Sequence, residues 1–168
     1  MPRNDNVVME DVRIVFRNFA GAEKQYNRAG DRNFSVVIPE DVARAMESDG
    51  WNIKWPKPKP DLDPAEDTRL PTLPVSVGFG GPRPPHVVMI GGTSKKRTIL
   101  DEDSIEILDW VDMAGVDLQV RPYNWEVNGN TGVKAYLVNI FITIHEDPLE
   151  LKYAEDEEIA SEPEWSEE

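Results

Sequence analysis

The chain has 168 residues, of which 32 are acidic and 18 basic, so its formal net charge is −14. This length suits one domain with a core of useful size. The absence of cysteine excludes disulfides and thiolate metal sites. The first residues lack an apolar signal segment, and no stretch approaches the roughly 20 apolar residues of a membrane-spanning helix. We therefore expect a cytoplasmic protein.

The charge is unevenly distributed along the chain. Eight of the acids lie within residues 155–168, where there is no base. Residues 12–38, in contrast, hold five bases and two acids. Further bases cluster at residues 54–59 and 95–97. Basic patches on an acidic background remain compatible with a nucleic-acid partner, because the local distribution of charge matters more than its sum.

Alternation of residue types predicts a strand over 12–19. Its core face would hold Val12, Ile14 and Phe16, and its other face would carry bases and further apolar side chains. A loop with glycine breakers follows. A second strand is predicted over 32–38.

A short helix is predicted to begin at Pro39 and to end at Gly50, because proline suits a first helical turn and glycine suits the residue after a helix. The stretch "WNIKW" (51–55) indicates a strand with its two tryptophans on one face. Residues 56–74 contain six prolines and mixed charges, which is typical of a long exposed loop.

The next part of the chain has short elements. Strands are predicted at residues 74–79 and 86–90, followed by a basic, turn-rich loop at 91–97. Residues 100–115 have acids at the start, apolar residues at helical spacing and a glycine at the end, so we expect a helix there.

The strongest turn signal is Asn128-Gly129, between two long alternating stretches at 116–127 and 133–146. This pattern predicts a hairpin. Five or more strands, one or two short helices and long loops favour a mainly β (α+β) fold, an OB-like Greek-key barrel. A generic α+β sheet remains the alternative.

Catalytic signals are weak. The acids between residues 101 and 112 could hold a divalent metal in a nuclease, and Asp109 and Asp112 would share a helical face. An acidic amphipathic helix explains the same residues without a metal. The two histidines, His86 and His145, lie far apart and outside any metal-binding pattern. We expect no catalytic residue, no metal and no cofactor, with the nuclease kept as an alternative.

Signals for binding are stronger. Single-stranded nucleic acid needs cations for its phosphates and flat rings for its bases, and this sequence interleaves the two. Phe34, Trp51, Trp110 and Phe141 are expected in the core. The predicted nucleic-acid-binding residues are Arg17, Phe19, Lys24, Tyr26, Arg28, Arg32, Lys54, Trp55, Lys57, Tyr123, Trp125 and Tyr136.

Several phrases of the chain resemble the single-stranded DNA-binding proteins of tailed bacteriophages. The resemblance covers roughly residues 12–146 and rests on "RIVFRNFAGAEKQYNRAGDRNFSV", "DGWNIKW", "LDEDSIEILDWVD" and "RPYNWEVNGNTGVKAYL". It implies an OB-fold that coats single-stranded DNA during replication and recombination in the host cytoplasm. It supplies no motif for DNA contact, so no site residue is taken from it.

Residues 1–153 are expected to form the DNA-binding domain, and residues 154–168 a disordered acidic tail. Proteins of this kind often end in such a tail with an aromatic residue near its tip, which implies competition with DNA for the basic groove and docking on a polymerase, helicase or nuclease. Here Trp165 would be the anchor, flanked by Glu164, Glu167 and Glu168. Three residues follow Trp165, whereas the familiar tails end on the aromatic residue.

Two other interpretations stay open. The tail could serve only to keep the protein in solution. The whole chain could be a phage structural or adaptor protein whose acidic surface recruits a basic partner.

Overall fold

The computed structural model describes residues 5–25 and 27–147, together with residues 149 and 152. Two 3₁₀ helices lie at Pro64–Glu66 and Ile105–Asp109. The strands and the α-helix are β1 (Val7–Met9), β2 (Ile14–Asn18), β3 (Arg32–Val37), α1 (Glu40–Ser48), β4 (Thr72–Val77), β5 (His86–Gly91), β6 (Arg97–Leu100), β7 (Met113–Val127) and β8 (Asn130–Ile144).

All eight strands belong to one mixed sheet, in which β8 is central. The main path runs β1-β7-β8-β4-β3-β2, and β5 pairs with β8 farther along that strand and carries β6 at its edge. The pairs of β8 with β4 and β5 are parallel, and the other pairs are antiparallel. Just before β2, the amide of Val12 donates to the carbonyl of Val116 on β7 at 3.0 Å, which brings the start of β2 next to β7. This mainly β architecture confirms the predicted OB-like fold class.

The core lies inside the curved sheet. Along β4 the apolar residues Leu73, Val75 and Val77 are buried, while the residues between them are partly exposed. Helix α1 buries Ala43 and Met46 against the same cluster. Period-2 alternation of burial along β4 is typical of a strand with one buried face. The predicted core residues Phe34 and Trp51 are also buried.

The long hairpin is confirmed. Asn128 and Gly129 have φ values of 52° and 80°, the left-handed conformation that a two-residue hairpin turn requires at both central positions. Asparagine and glycine adopt this conformation at the lowest cost. The turn fixes the register of β7 on β8, which places Trp125 opposite Gly132 and Tyr123 opposite Lys134.

The prediction for Phe16 is wrong. Its side chain is 76% exposed, its φ is 52°, and the pairing of β2 with β3 shifts register between Val15 and Asn18. A β-bulge inserts an extra residue and reverses the side-chain alternation that follows it. Beyond the bulge, Asn18 and Phe19 point into the core.

Two further elements differ from expectation. Residues 51–55 form no strand and make only isolated bridges, Trp51 to Val133 and Lys54 to Thr72. The helix expected over 100–115 is reduced to the 3₁₀ helix at Ile105–Asp109, and β7 already begins at Met113. Trp110, expected in the core, is 86% exposed as a result.

The long loop predicted before β4 is present, although β4 starts earlier, at Thr72. In the part of the chain that the structure describes, no helix is long and apolar enough to cross a membrane. The predicted tail, residues 154–168, lies outside the described residues.

Candidate nucleic-acid interface

Cross-strand register places a row of polar and aromatic residues on one face of the sheet. Arg121 of β7 lies opposite Tyr136 of β8, which pairs with Ser76 of β4, which pairs in turn with Asn33 of β3. Directly opposed residues point to the same side of a sheet. Ser76 and Tyr136 each lie between two buried neighbours, and Arg121 and Asn33 each adjoin one, so this side faces away from the core. We call it the outer face.

The hairpin contributes an ordered set of rings and cations to the outer face. The rings of Tyr123 and Tyr136 meet edge to face, with centres 5.8 Å apart. The Cζ atom of Arg121 and the Nζ atom of Lys134 each lie 5.2 Å from the centre of the Tyr136 ring. Cation–π attraction at this range fixes the ring and holds two positive charges beside it.

Trp125 extends the same face of the hairpin toward its tip. A Cβ atom at Gly132, the residue opposite, would lie 2.6 Å from the Cζ2 atom of the indole. The indole therefore rests on the backbone of β8 where no side chain intervenes, and it remains 36% exposed. Supported in this way, the ring can receive a flat partner.

Two adjoining hollows of about 420 and 430 Å³ run beside Tyr136 and share that residue and Gly78. Phe79 lines the first of them, with the Cζ atom of Arg32 5.8 Å from its ring centre. Glu102 on the rim approaches Arg32 at 3.9 Å. We call this region the hairpin groove, and its cationic and aromatic residues are Arg32, Phe79, Arg83, Arg121, Lys134 and Tyr136.

The 20–30 loop borders the hairpin groove. The amide of Gly30 donates to the carbonyl of Gly21 at 2.8 Å, which closes the loop, and Gly30 lines the groove itself. Lys24 and Arg28 are exposed on this loop. The predicted residue Tyr26 lies outside the described residues.

Lys54 and Trp55 lie at a separate cleft of about 540 Å³, beside β2. The Trp55 indole N–H donates to Glu47 at 2.6 Å, and the Cζ atom of Arg44 lies 5.1 Å from its ring centre. We call this region the Phe16 cleft, and its charged and aromatic residues are Arg13, Phe16, Lys54, Trp55 and Arg69.

Lys57 lies just outside the Phe16 cleft and is exposed. Its backbone carbonyl accepts a hydrogen bond from Arg69 at 2.7 Å. Arg69 also donates to Asp67 through Nε and Nη2 at 2.9 and 2.7 Å. This charge-assisted contact lowers the pKa of Asp67 to about 2. The contacts fix the proline-rich loop against the cleft.

Two predicted residues have structural contacts instead. Phe19 is fully buried and stacks on Phe34 with ring centres 5.1 Å apart, so its ring offers no face to a base and the prediction for it is wrong. Arg17 is half-buried, and its Nη1 atom donates to the carbonyls of Leu108 and Val111 at 3.0 and 2.8 Å. Arg17 therefore connects β2 to the 3₁₀ helix at Ile105–Asp109 and the residues that follow it.

The acids considered for a nuclease also have local structural contacts. The Asp109 carboxylate accepts hydrogen bonds from the amides of Phe19 and Ala20 at 2.7 and 3.0 Å. Asp101 accepts from Asp103 and Ser104, and the Ser104 hydroxyl holds the pKa of Asp101 below its ordinary value. Across the described ranges, no three histidine or carboxylate side chains converge as metal ligands would.

Sequence reasoning missed Phe79, Arg83, Phe16, Arg13 and Arg69. Phe79 and Arg83 lie in "GFGGPRPP", a glycine- and proline-rich stretch in which a lone phenylalanine and a lone arginine are signs of a loop that contacts a ligand. Arg13 and Arg69 can be recognised in the sequence as bases, but no pattern predicted a role for them in binding. Phe16 had no such signal, because its exposure depends on the bulge.

Comparison with known proteins gives a family and a fold. A family model described as a putative phage ssDNA-binding domain matches residues 1–163. No curated protein matches the chain. Among solved structures, the C-terminally truncated single-stranded DNA-binding protein from bacteriophage Enc34 aligns with a TM-score of 0.51 at 11% identity, over 86% of this chain and 88% of that one. The Enc34 protein in complex with ssDNA aligns with a TM-score of 0.47 at 13% identity, over 86% and 89% of the two chains. The truncated Enc34 protein shares the fold of this chain.

Proposed function

Since the chain belongs to the phage single-stranded DNA-binding family, we propose that it coats single-stranded DNA with little sequence preference while phage DNA is replicated or recombined in the host cytoplasm. The observation that carries this proposal is the hairpin groove, where Tyr136 lies between Arg121 and Lys134 and adjoins Tyr123. Here the rings and the cations needed for single strands stand on one accessible face.

The chemistry of the hairpin groove and of the neighbouring rings of Tyr123 and Trp125 accounts for weak sequence preference. Every base presents a flat face to an aromatic ring, so stacking on Tyr123, Trp125 or Tyr136 does not select among bases. Phosphates carry no sequence information either, and Arg83, Arg121 and Lys134 are placed to neutralise them. We infer no catalytic role for the groove.

A fluorescence-anisotropy titration of labelled oligo-dT at several salt concentrations tests the proposal. Binding should weaken as salt rises, with a slope of about −0.7 in log K against log salt for each neutralised phosphate. Lys134→Ala should reduce the size of this slope by about 0.7, whereas Lys96→Ala, which lies in neither the groove nor the cleft, should leave it unchanged. Salt-independent binding would contradict the proposal.

One observation favours the adaptor alternative as a second role. Trp110 is 86% exposed, in a segment that also carries the exposed acids Glu106 and Asp112. A basic partner with an apolar anchor would fit there. If the adaptor role were the whole function, the oligo-dT titration would show no binding.

We also propose that the acidic segment regulates binding. Residues 155–168 carry eight acids, and tethering gives them a high effective concentration near the basic groove. Deleting them should tighten oligo-dT binding, most strongly at low salt where screening is weakest. In the full-length chain, Trp165→Ala should leave the affinity for oligo-dT unchanged, because the carboxylates that compete with DNA remain. The same substitution should abolish capture of the replication partner, because the ring that would dock on that partner is lost. Unchanged affinity after deletion would contradict the competition, and an unchanged set of captured partners would contradict the docking.

A further inference from the structure

We propose that the Phe16 cleft is a second nucleobase-binding site and that one DNA strand crosses the outer face from this cleft to the hairpin groove. The inference rests on the proposed function and deepens it, because it adds a second stacking site and a minimum length of DNA for full affinity.

The backbone of Phe16 is the first observation. A large aromatic residue at a φ of 52° adopts a conformation that side chains disfavour, and the ring that results is 76% exposed. Strained residues of this kind persist where the surrounding structure enforces them, and they concentrate at ligand sites. The bulge in β2 thus presents a ring to solvent that a regular strand would have buried.

A second ring is fixed in the same cleft. The half-buried Trp55 indole is held by its hydrogen bond to Glu47 and by the guanidinium of Arg44, which lies over one face of the ring. Pro56 follows it and also lines the cleft. A ring that is already fixed loses little conformational entropy when a base stacks on it, so the cleft is preorganised for a flat ligand.

The charge of the cleft suits a phosphodiester beside that base. Arg13, Lys54 and Arg69 line it, and no acid occurs among the described residues of its lining. The nearby carboxylates of Glu47 and Asp67 accept hydrogen bonds from Trp55 and Arg69. Cations next to exposed rings are the combination that single strands require.

The strand register joins the cleft to the hairpin groove. Val15 of β2 and Val37 of β3 line the cleft. Val15 pairs with Ser35 and Ser35 with Pro74, while Val37 pairs with Thr72. Ser35 is buried, and the partly exposed side chains Val15, Val37, Thr72 and Pro74 around it continue the outer face toward Ser76 and Tyr136.

The path from β2 to β7 crosses five strands in the order β2-β3-β4-β8-β7. Four spacings of about 4.8 Å amount to about 19 Å. A strand that reaches both ends must therefore span several nucleotides, whereas a very short oligonucleotide can occupy one end only.

An oligo-dT length series tests this inference in the full-length protein. Phe16→Gly is the informative variant, because glycine accepts the positive φ and the exposed ring contributes nothing to the core. Its thermal midpoint should equal or exceed that of the wild type. Its affinity for oligo-dT of about 12 nucleotides should fall roughly tenfold, the loss expected for one stacked base. Its affinity for oligo-dT of about 4 nucleotides should change by no more than about twofold, because the hairpin groove still binds.

The controls separate the two proposals. Val8→Ala removes an exposed apolar side chain from β1, outside the groove and the cleft, and should alter neither affinity. If the wild type binds the long oligonucleotide and Phe16→Gly binds it equally tightly, the second site is overturned while the proposed function stands. If the wild type binds neither oligonucleotide, the proposed function itself is overturned.

Discussion

Tyr136 and Arg121 face each other across the long hairpin, with the guanidinium carbon of Arg121 5.2 Å from the centre of the Tyr136 ring. Because one residue comes from each strand, the register set by the Asn128-Gly129 turn determines whether they meet. The turn can be recognised from its sequence, and it positions Tyr136, a candidate binding residue that lies eight residues after Asn128. The same register sets Lys134 opposite Tyr123.

Tyr136→Ala should weaken oligo-dT binding by roughly 1–3 kcal/mol, the usual contribution of a base stacked on an aromatic ring. Tyr136→Phe keeps the ring and should retain most of the affinity. Fluorescence anisotropy measures both, and thermal unfolding checks that the variants are folded. Equal losses for the two variants would show that the hydroxyl, and not the ring face, is the contact.

Gly132→Ala should displace the indole of Trp125, because the new Cβ would lie 2.6 Å from the ring. We expect a changed tryptophan emission spectrum and weaker oligo-dT binding, with little loss of stability, since the exposed ring can move aside. Gly115→Ala, on the same hairpin, is the matched control because its Cβ would meet nothing within 4 Å. If both variants bind as the wild type does, Trp125 is not a stacking platform.

Asp109→Ala should destabilise the protein by about 1.5–3 kcal/mol, the usual range for hydrogen bonds to a charged group. It leaves the amides of Phe19 and Ala20 without their carboxylate acceptor at the point where the chain leaves β2. Urea denaturation measures the loss. Asp112→Ala, three residues farther along and exposed, should have a small effect. Similar losses of stability for both variants would mean that the removal of a negative charge, and not the loss of the contact with Phe19 and Ala20, is the cause.

The fold was predictable where one local signal decided the structure. Asn128-Gly129 specified the hairpin turn, and the strand predicted at 74–79 coincides with β4 over residues 74–77. Glycine at position 50, with a φ of 94°, ended α1 as expected. In each case neighbouring residues were sufficient, and no distant contact was needed.

The candidate site was less predictable because its key features depend on distant contacts. Phe16 has the spacing of a core residue, and only the bulge that lets Asn18 and Phe19 face inward turns it outward. Trp110 follows a segment with helical spacing, yet Arg17 and Asp109 bind that segment to β2 as a 3₁₀ helix. Both errors concern aromatic residues whose exposure is set by tertiary structure.

Glu146→Gln should lower the thermal midpoint near neutral pH and have less effect in acid. The Glu146 carboxylate, just beyond β8, accepts hydrogen bonds from the amides of Thr93 and Ser94 at 3.0 and 2.9 Å. A Cβ at Gly91 would collide with this carboxylate, so a side chain there would displace it. The amide of Ser94 is the main cause of a Glu146 pKa below the ordinary 4.5, with Lys95 adding a smaller effect.

The sign of the pH effect follows from this lowered pKa. The folded protein favours ionised Glu146, so its contribution to stability is present above pH 4.5 and is lost as the pH falls through the lowered pKa. Wild type and Glu146→Gln should therefore differ in thermal midpoint at about pH 7 and converge toward about pH 3. Asp67 and Asp101 also have lowered pKa values, but they are common to both proteins and cancel in the difference. Glu106→Gln, an exposed acid on the 3₁₀ helix, should match the wild type at both pH values. A wild-type advantage over Glu146→Gln that stayed constant from neutral to acid pH would show that the carboxylate charge is not what holds the 91–96 loop.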